Sequence, residues 1–417
     1  MKKSFLPYKW ELVVLLWLAF FFNQADRQIF NVVLPMIRDD LNLTDANMGL
    51  IASFFTLVYG LLVPVAGFFG DKINKKYIII SALLFWSIAT LCTGFTTGII
   101  GLIILRSAAT GGGEAFYAPS ANAIISENHH VSSRATALSI HQTALYVGII
   151  ASGYMVGALA EKYGWRETFY LFGGFGIILG IALIFRMKKS NNVLPSSSFT
   201  KKPSAKEGIA VFFRRPSAVL LAVAFAGMQF VGVGVLTWMP TFLHETFDFS
   251  LARSGFDATF YIHVAAFIGV LAGAKIADRF TQKYLRIRIL IQMTGLLIGT
   301  PFIFLMAKSS SIIIVYVAMF FFGISRGLYD SNIFASLYDV IEEKYRASAT
   351  GFMLMFAFVV ASTSPYLLGV IKPIMGLSNG LALLSLVYFF PAIILGVAAV
   401  FTLKKDHAKI RLLLHRQ

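Results

Sequence analysis

The sequence predicts an all-α membrane protein with twelve transmembrane helices in two pseudo-symmetric six-helix bundles. Three observations predict it. Hydrophobic residues make up 57% of the 417 and charged residues only 13%, with a mean hydropathy of +0.74, more apolar content than a soluble core uses. Apolar runs of roughly 20 residues or more recur from end to end, each long enough to cross about 30 Å of hydrocarbon as a helix. Basic residues, finally, are sorted between alternate ends of those runs.

The first run, 11–36, follows Lys2, Lys3 and Lys9. It is too long for a signal-peptide core and lacks a small-residue cleavage pattern, so it reads as a retained first helix. Runs at 47–70, 77–97, 98–126, 134–160 and 165–187 complete the first bundle, placed at 1–187. RMKKSNNVLPSSSFTKKPSAKEG then interrupts the pattern; its Ser- and Lys-rich composition predicts a cytoplasmic linker over 188–208. The second bundle, 209–417, holds runs at 216–243, 252–279, 285–307, 311–340, 347–372 and 379–403.

A net charge of +16 raises nucleic acid as a partner, but the placement of the charge explains it without one. Of the 36 Lys and Arg, 26 fall in the segments on the same side as the amino terminus. Arg38, Lys162, Arg166, Arg253, Lys308 and Lys372 lie at the other end, and Arg27, Arg106, Lys275 and Arg326 inside runs. That asymmetry puts both termini and the linker in the cytoplasm, and the expected setting is a bacterial cytoplasmic (inner) membrane. The one cysteine, Cys92, lies in an apolar run, which argues against a disulfide framework or a cysteine metal site.

The two halves echo each other. GFFGDKINKK (67–76) follows the second run and AKIADRFTQK (274–283) the eighth, placing Asp71 and Asp278 about half the chain apart. One constant offset aligns Gly111 with Gly323, Tyr117 with Tyr329, Ala123 with Ala335, Arg134 with Arg346, Ala135 with Ala347 and Ala137 with Ala349. Duplicated halves imply a site near the membrane midplane, where the repeats meet.

Charge inside a span costs roughly 2.5–3.5 kcal/mol per residue, so such residues face a cavity or a partner. They are Asp26 and Arg27, Arg106 and Glu114, and Arg326 with Asp330, while Lys275, one turn before Asp278, is expected to snorkel to the inner surface. The offset pairs the acid Glu114 with the base Arg326. An arginine's planar fork suits a carboxylate, and a partly buried acid suits a coupled proton. The competing reading is an internal salt bridge; Arg326 and Asp330, four apart, can pair on one helix face. Asn23, Gln24, Tyr59, Tyr117, His141, Gln142, Tyr329 and Asn332 add polar contacts to the same helices, each equally able to serve as an interhelical hydrogen bond. Asp71, four residues after Gly67 and beside Lys75 and Lys76, can latch an inner gate with Asp278, Arg134 and Arg346; basic topology anchoring is the plainer role for the lysines.

GFFGDKINKK, RATALS (134–139) and RASATG (346–351) resemble the cytoplasmic loop signatures of the major facilitator superfamily. The resemblance covers the whole chain and implies two bundles that rock about a central cavity. NQADR with RxxxxGGGEAFYAPS is similar to the anion:cation symporter branch. That likeness implies proton sites at Asp26 and Glu114, and Arg27 and Arg106 on a substrate carboxylate. In that branch the arginine precedes its glutamate by seven residues. Here Arg106 precedes Glu114 by eight, which on a regular α-helix turns it by about 100°. DKINKKY and GGGEAFY also resemble Spinster-like transporters, which implies lysolipids or other amphiphiles.

GGGEA (111–115) follows no strand and lacks the spacing of a phosphate loop, so it reads as close helix packing. Glu127, His129 and His130 lack metal-site spacing. The function expected is therefore import of a carboxylated small molecule such as a sugar acid, driven by protons, without cofactor or enzymatic activity. The partners expected are an anionic substrate and the lipid bilayer, with the monomer as the working unit. A transporter-like sensor is a further class, weakened by how little chain lies in the linker and after 404.

Overall fold

The computed structural model describes residues 7–70, 73–188 and 205–414, and among these every regular element is helical. The first six long helices are α1 (Tyr8–Asp40), α2 (Asp45–Gly70), α3 (Lys75–Thr93), α4 (Ile99–Asn128), α5 (Val131–Tyr163) and α6 (Trp165–Arg186). A short helix, α7 (Ala205–Phe213), follows, running from the last residues of the expected linker into the first of the expected second bundle. Then come α8 (Pro216–Phe247), α9 (Leu251–Phe280), α10 (Ile287–Lys308), α11 (Ile312–Tyr338), α12 (Glu343–Met375) and α13 (Leu377–Lys409).

Eleven of these are long and apolar enough to cross a membrane on composition alone. The twelfth is α1. At 33 residues it is ample in length, and Asp26 and Arg27 interrupt its apolar character. The chain is thus an integral membrane protein.

Two compact units result. The first draws on Met1–Ser197 together with Thr237–Thr259, the second on Ser198–Leu236 together with Phe260–Gln417. In the first, α3 packs along α4 and α6; in the second, α10 packs along α11 and α13. The third helix of each half therefore holds the fourth and sixth. The turns repeat too. Gly164 (φ 102°) ends α5 and Gly376 (φ 83°) ends α12, and these glycines are related by the offset that aligns Gly111 with Gly323. Both need positive φ, where a Cβ is strained. Asn42 and Asp248 take left-handed backbone between the first two helices of each half, as short polar side chains tolerate.

The core of the first unit is apolar packing of α1, α3, α4, α5 and α6 around Trp86, Tyr117, Phe20 and Leu16. At roughly 25 cal/mol per Å², large side chains such as Trp86, 1% exposed, hold the helices in place against the polar cluster beside them.

Candidate functional site

The charges of α1 and α4 converge inside the first unit. Arg27 Nε donates to Glu114 Oε2 at 2.6 Å, with the glutamate side chain wholly buried and the arginine side chain 23% exposed. Such a pair is short and charge-assisted. The Arg27 guanidinium carbon sits 4.2 Å from the centroid of Tyr59 and 5.6 Å from that of Phe55, both on α2.

Arg106 joins from the other side. Its Nη2 donates to the Arg27 carbonyl at 3.3 Å, and its guanidinium carbon lies 4.7 Å from the Phe55 centroid and 5.8 Å from that of Phe30. Arg106 interacts electrostatically with both Asp26 and Glu114. Asp26, 4% exposed, accepts the Thr90 hydroxyl of α3 on Oδ2 at 2.6 Å. Asp26 Oδ1, Glu114 Oε1, Arg106 Nε and Nη1, and both side-chain polar atoms of Gln28 are buried without a hydrogen-bond partner. Two acids and two guanidiniums thus form one charge-balanced cluster with unused donors and acceptors, an uncommon state for buried polar groups.

Local sequence explains how α4 comes close enough. A Cβ on Gly111 would meet the Phe55 carbonyl at 3.0 Å, and one on Gly113 the Trp86 backbone nitrogen at 3.2 Å. The three glycines therefore pack α4 onto α2 and α3. The same helix departs from the regular α form: Leu102–Ala109 is a π-helix, and the Thr110 N–H donates to the Leu105 carbonyl five residues back.

Other expected residues lie elsewhere. Tyr117 donates to the Leu16 carbonyl and contacts His141 Nε2 at 3.2 Å, and His141 stacks on Phe20 at 4.8 Å, so this pair belongs to the apolar core. Gln24 donates to Asn23 at 2.8 Å, and Gln142 is exposed. In the second unit Arg326 Nε and Asp330 Oδ2 are 3.6 Å apart on one face of α11. Tyr329 is buried and stacked with Phe225, and Asn332 donates to Ser331 at 2.8 Å. In each unit one intramembrane guanidinium thus lies beside a carboxylate of the same unit.

Of the gate candidates, Asp71 lies outside the described residues and Gly67 falls in the last turn of α2. Lys75 pairs with Glu127 at 2.7 Å, and Lys76 donates to the Ile184 carbonyl at 3.0 Å. Arg346 donates to the Tyr338 carbonyl at 3.4 Å, while Arg134 and Asp278 are exposed. A cleft of about 510 Å³ opens at the far end of α1, lined by Met36, Asp39, Asp40 and Gly164–Glu167, and includes none of the buried cluster. Sequence reasoning missed Phe55, Phe30 and Thr90, which give no contrast inside apolar helices.

The family model of the Major Facilitator Superfamily matches residues 16–365. The chain belongs to the Major Facilitator Superfamily. The chain is 26% identical over 392 residues to Protein spinster homolog 1 of Xenopus laevis, covering 87% of this chain and 72% of that protein. It is 25% identical over 391 residues to the Hexuronate transporter of Bacillus subtilis (strain 168), covering 90% of this chain and 91% of that protein. A bacterial homolog of the human lysosomal transporter Spinster, solved inward-facing and unoccupied, shares the fold with a TM-score of 0.80 at 22% identity, over 98% of this chain and 99% of that one. The protein is a superfamily transporter with twelve long helices among its described residues.

Proposed function

We propose that the chain is a proton-coupled symporter that imports a carboxylated small molecule of the sugar-acid class (hexuronate, aldonate or sialic acid) by alternating access, working as a monomer. The observation that carries this reading is the 2.6 Å pair between buried Glu114 and partly exposed Arg27. Glu114 takes one donor, Nε, of the guanidinium that a substrate carboxylate would use. An arriving carboxylate displaces it, and a buried carboxylate without its partner is costly until it takes up a proton.

Charge balance gives the coupling rule. Asp26 and Glu114 offset Arg27 and Arg106, so an anion and a proton entering together leave the cluster neutral. Either alone leaves a buried net charge. The halves then exchange access when both or neither are bound. On this reading Asp26 is the second proton site, and Asn23, Gln24, Tyr59, Arg326, Tyr329, Asp330 and Asn332 supply further contacts. Asp71, Asp278, Lys75, Lys76, Arg134 and Arg346 serve the inner gate. The likeness to a hexuronate transporter over nine-tenths of each chain supports the substrate class.

A second reading, a Spinster-like transporter of lysolipids or other amphiphiles, is favoured by the similarity to spinster homologs. Uptake into proteoliposomes of sugar acids, neutral sugars and lysolipids, with and without an inward proton gradient, separates the two. Sugar-acid uptake that grows with the gradient supports the first. Uptake of lysolipid alone moves the answer to the second, and binding without uptake under any gradient to a sensor.

A further inference from the structure

Aromatic rings and guanidiniums alternate in the first unit. The Arg27 guanidinium carbon lies over Tyr59 at 4.2 Å and over Phe55 at 5.6 Å. That of Arg106 lies over the same Phe55 ring at 4.7 Å and over Phe30 at 5.8 Å. The order is thus Tyr59, Arg27, Phe55, Arg106, Phe30, with Phe55 shared by both cations. Two like charges in a buried site repel, as these two do. The negative face of an aromatic ring offsets that repulsion.

Helix α4 fixes where the shared ring stands. Ser107 Oγ donates to the Ile51 carbonyl of α2 at 2.7 Å, the acceptor one helical turn before Phe55. A Cβ on Gly111 would stand 3.0 Å from the Phe55 carbonyl and 3.2 Å from its ring carbon Cδ2, so α4 lies against the backbone and the ring of Phe55 at once. On its own helix, Tyr59 stacks on Phe55 with centroids 6.5 Å apart and 6° between the planes. Held on these sides, the ring cannot follow the cations; they take their places from it.

We infer that Phe55 is a positioning residue of the buried cluster: its ring face holds the two guanidiniums against their mutual repulsion, keeps Arg27 Nε on Glu114 and so sets how an anion approaches Arg27. The last step rests on the carboxylate reading above; the holding of the cations does not. A ring that only filled space would serve equally well whatever the potential of its face, and that difference can be measured.

The experiment replaces Phe55 in the full chain with mono-, di-, tri- and pentafluorophenylalanine, which keep the shape of the ring and progressively remove the negative potential of its face. Phe54, the preceding residue on α2 and 38% exposed, takes the same series as a control. Melting temperature and glucuronate affinity are read on each purified protein. At Phe55 both should fall in step with fluorination, to about tenfold weaker glucuronate for the pentafluoro ring. Phe55→Leu, which removes the ring, should weaken glucuronate at least as much. The Phe54 series should stay flat. In Arg106→Gln the fall in melting along the Phe55 series should be shallower, because one of the two cations is gone. Melting and affinity that ignore fluorination, while Phe55→Leu loses both, make the ring mere packing and overturn the inference. So does an equal fall at Phe54, or a Phe55 series whose slope Arg106→Gln leaves unchanged. If the parent binds no glucuronate, the carboxylate reading falls with the anion's approach, and the melting series still decides whether Phe55 holds the cations.

Discussion

Arg27 and Glu114 meet at 2.6 Å with unequal exposure: the glutamate side chain is sealed in protein while the arginine side chain is 23% exposed. An exchangeable site needs that asymmetry. Arg27, the member proposed to bind the anion, is partly exposed, and Glu114, the member proposed to take the proton, is held where its charge is tolerable only while paired.

Glu114→Gln should therefore leave substrate exchange intact and weaken its dependence on pH, leaving the part that Asp26 carries. The amide keeps the volume and removes the titrating group. Counterflow of a labelled sugar acid at pH 6 and pH 8 measures both. Arg27→Gln should instead reduce affinity at least tenfold and destabilise the chain by on the order of 3 kcal/mol, because it strands Glu114. Normal affinity in Arg27→Gln would remove that residue from the site.

What the sequence disclosed follows contrast. Asp26, Arg27 and Glu114 stood out because charge in an apolar run is rare and costly, and the structure brings them into one cluster. The duplication was equally legible, and its offset extends to the turn glycines Gly164 and Gly376. Phe55 and Thr90 were invisible, since an aromatic or a hydroxyl in a long apolar helix has many packing uses. The π-helix showed only as the eight-residue interval between Arg106 and Glu114. Nor did the offset that matches Glu114 with Arg326 foretell their partners, because local geometry won: Arg326 lies one helical turn from Asp330.

Gly153 gives a test of packing against surface charge within the first unit. A Cβ there would collide with the Gly255 carbonyl, and one on Gly157 with the Ala252 backbone. Nearby, Arg38 joins Asp45 at 3.0 Å and Glu245 at 2.9 Å, all partly exposed. Exposed ion pairs contribute roughly 0–1 kcal/mol, whereas backbone in contact has nowhere to yield. Gly153→Leu should lower the melting temperature by several degrees and stop transport. Arg38→Ala should change melting by no more than a degree or two. The reverse order in thermal unfolding would make the ion network the stronger tie.

Asp40 sets a pH dependence at the far end of α1. The Arg166 guanidinium beside it, helped by the Trp165 indole N–H at 3.1 Å, holds its carboxyl below the usual carboxylate range. A lowered value means the pair stabilises the fold above the ordinary carboxylate pKa, about 3.9, and that the contribution is lost as pH falls through the lowered one. The site is exposed, so the effect is small, under about 1 kcal/mol. Melting curves of the parent and Asp40→Asn should differ by a constant margin from pH 7 to about pH 4 and converge below it. A margin that grows under acid would contradict the pairing.

Thr90 separates the two acids of the cluster. Its hydroxyl is the hydrogen-bond donor to Asp26, at 2.6 Å, and both side chains are buried. Glu114 is held by a guanidinium instead, so the acids answer to different partners. Thr90→Val preserves shape and removes the donor, leaving a buried carboxylate short of a hydrogen bond at a cost of roughly 1–3 kcal/mol. Asp26 should then hold a proton more readily, which moves the pH profile of sugar-acid uptake upward. Thr90→Ser, which restores the hydroxyl, should return the profile to that of the parent. Affinity at a fixed acidic pH should stay within threefold in both variants, because Arg27 keeps its fork and its aromatic neighbours on α2. If Thr90→Val shifts affinity but not the profile, Asp26 contacts the cargo and has no part in the proton step.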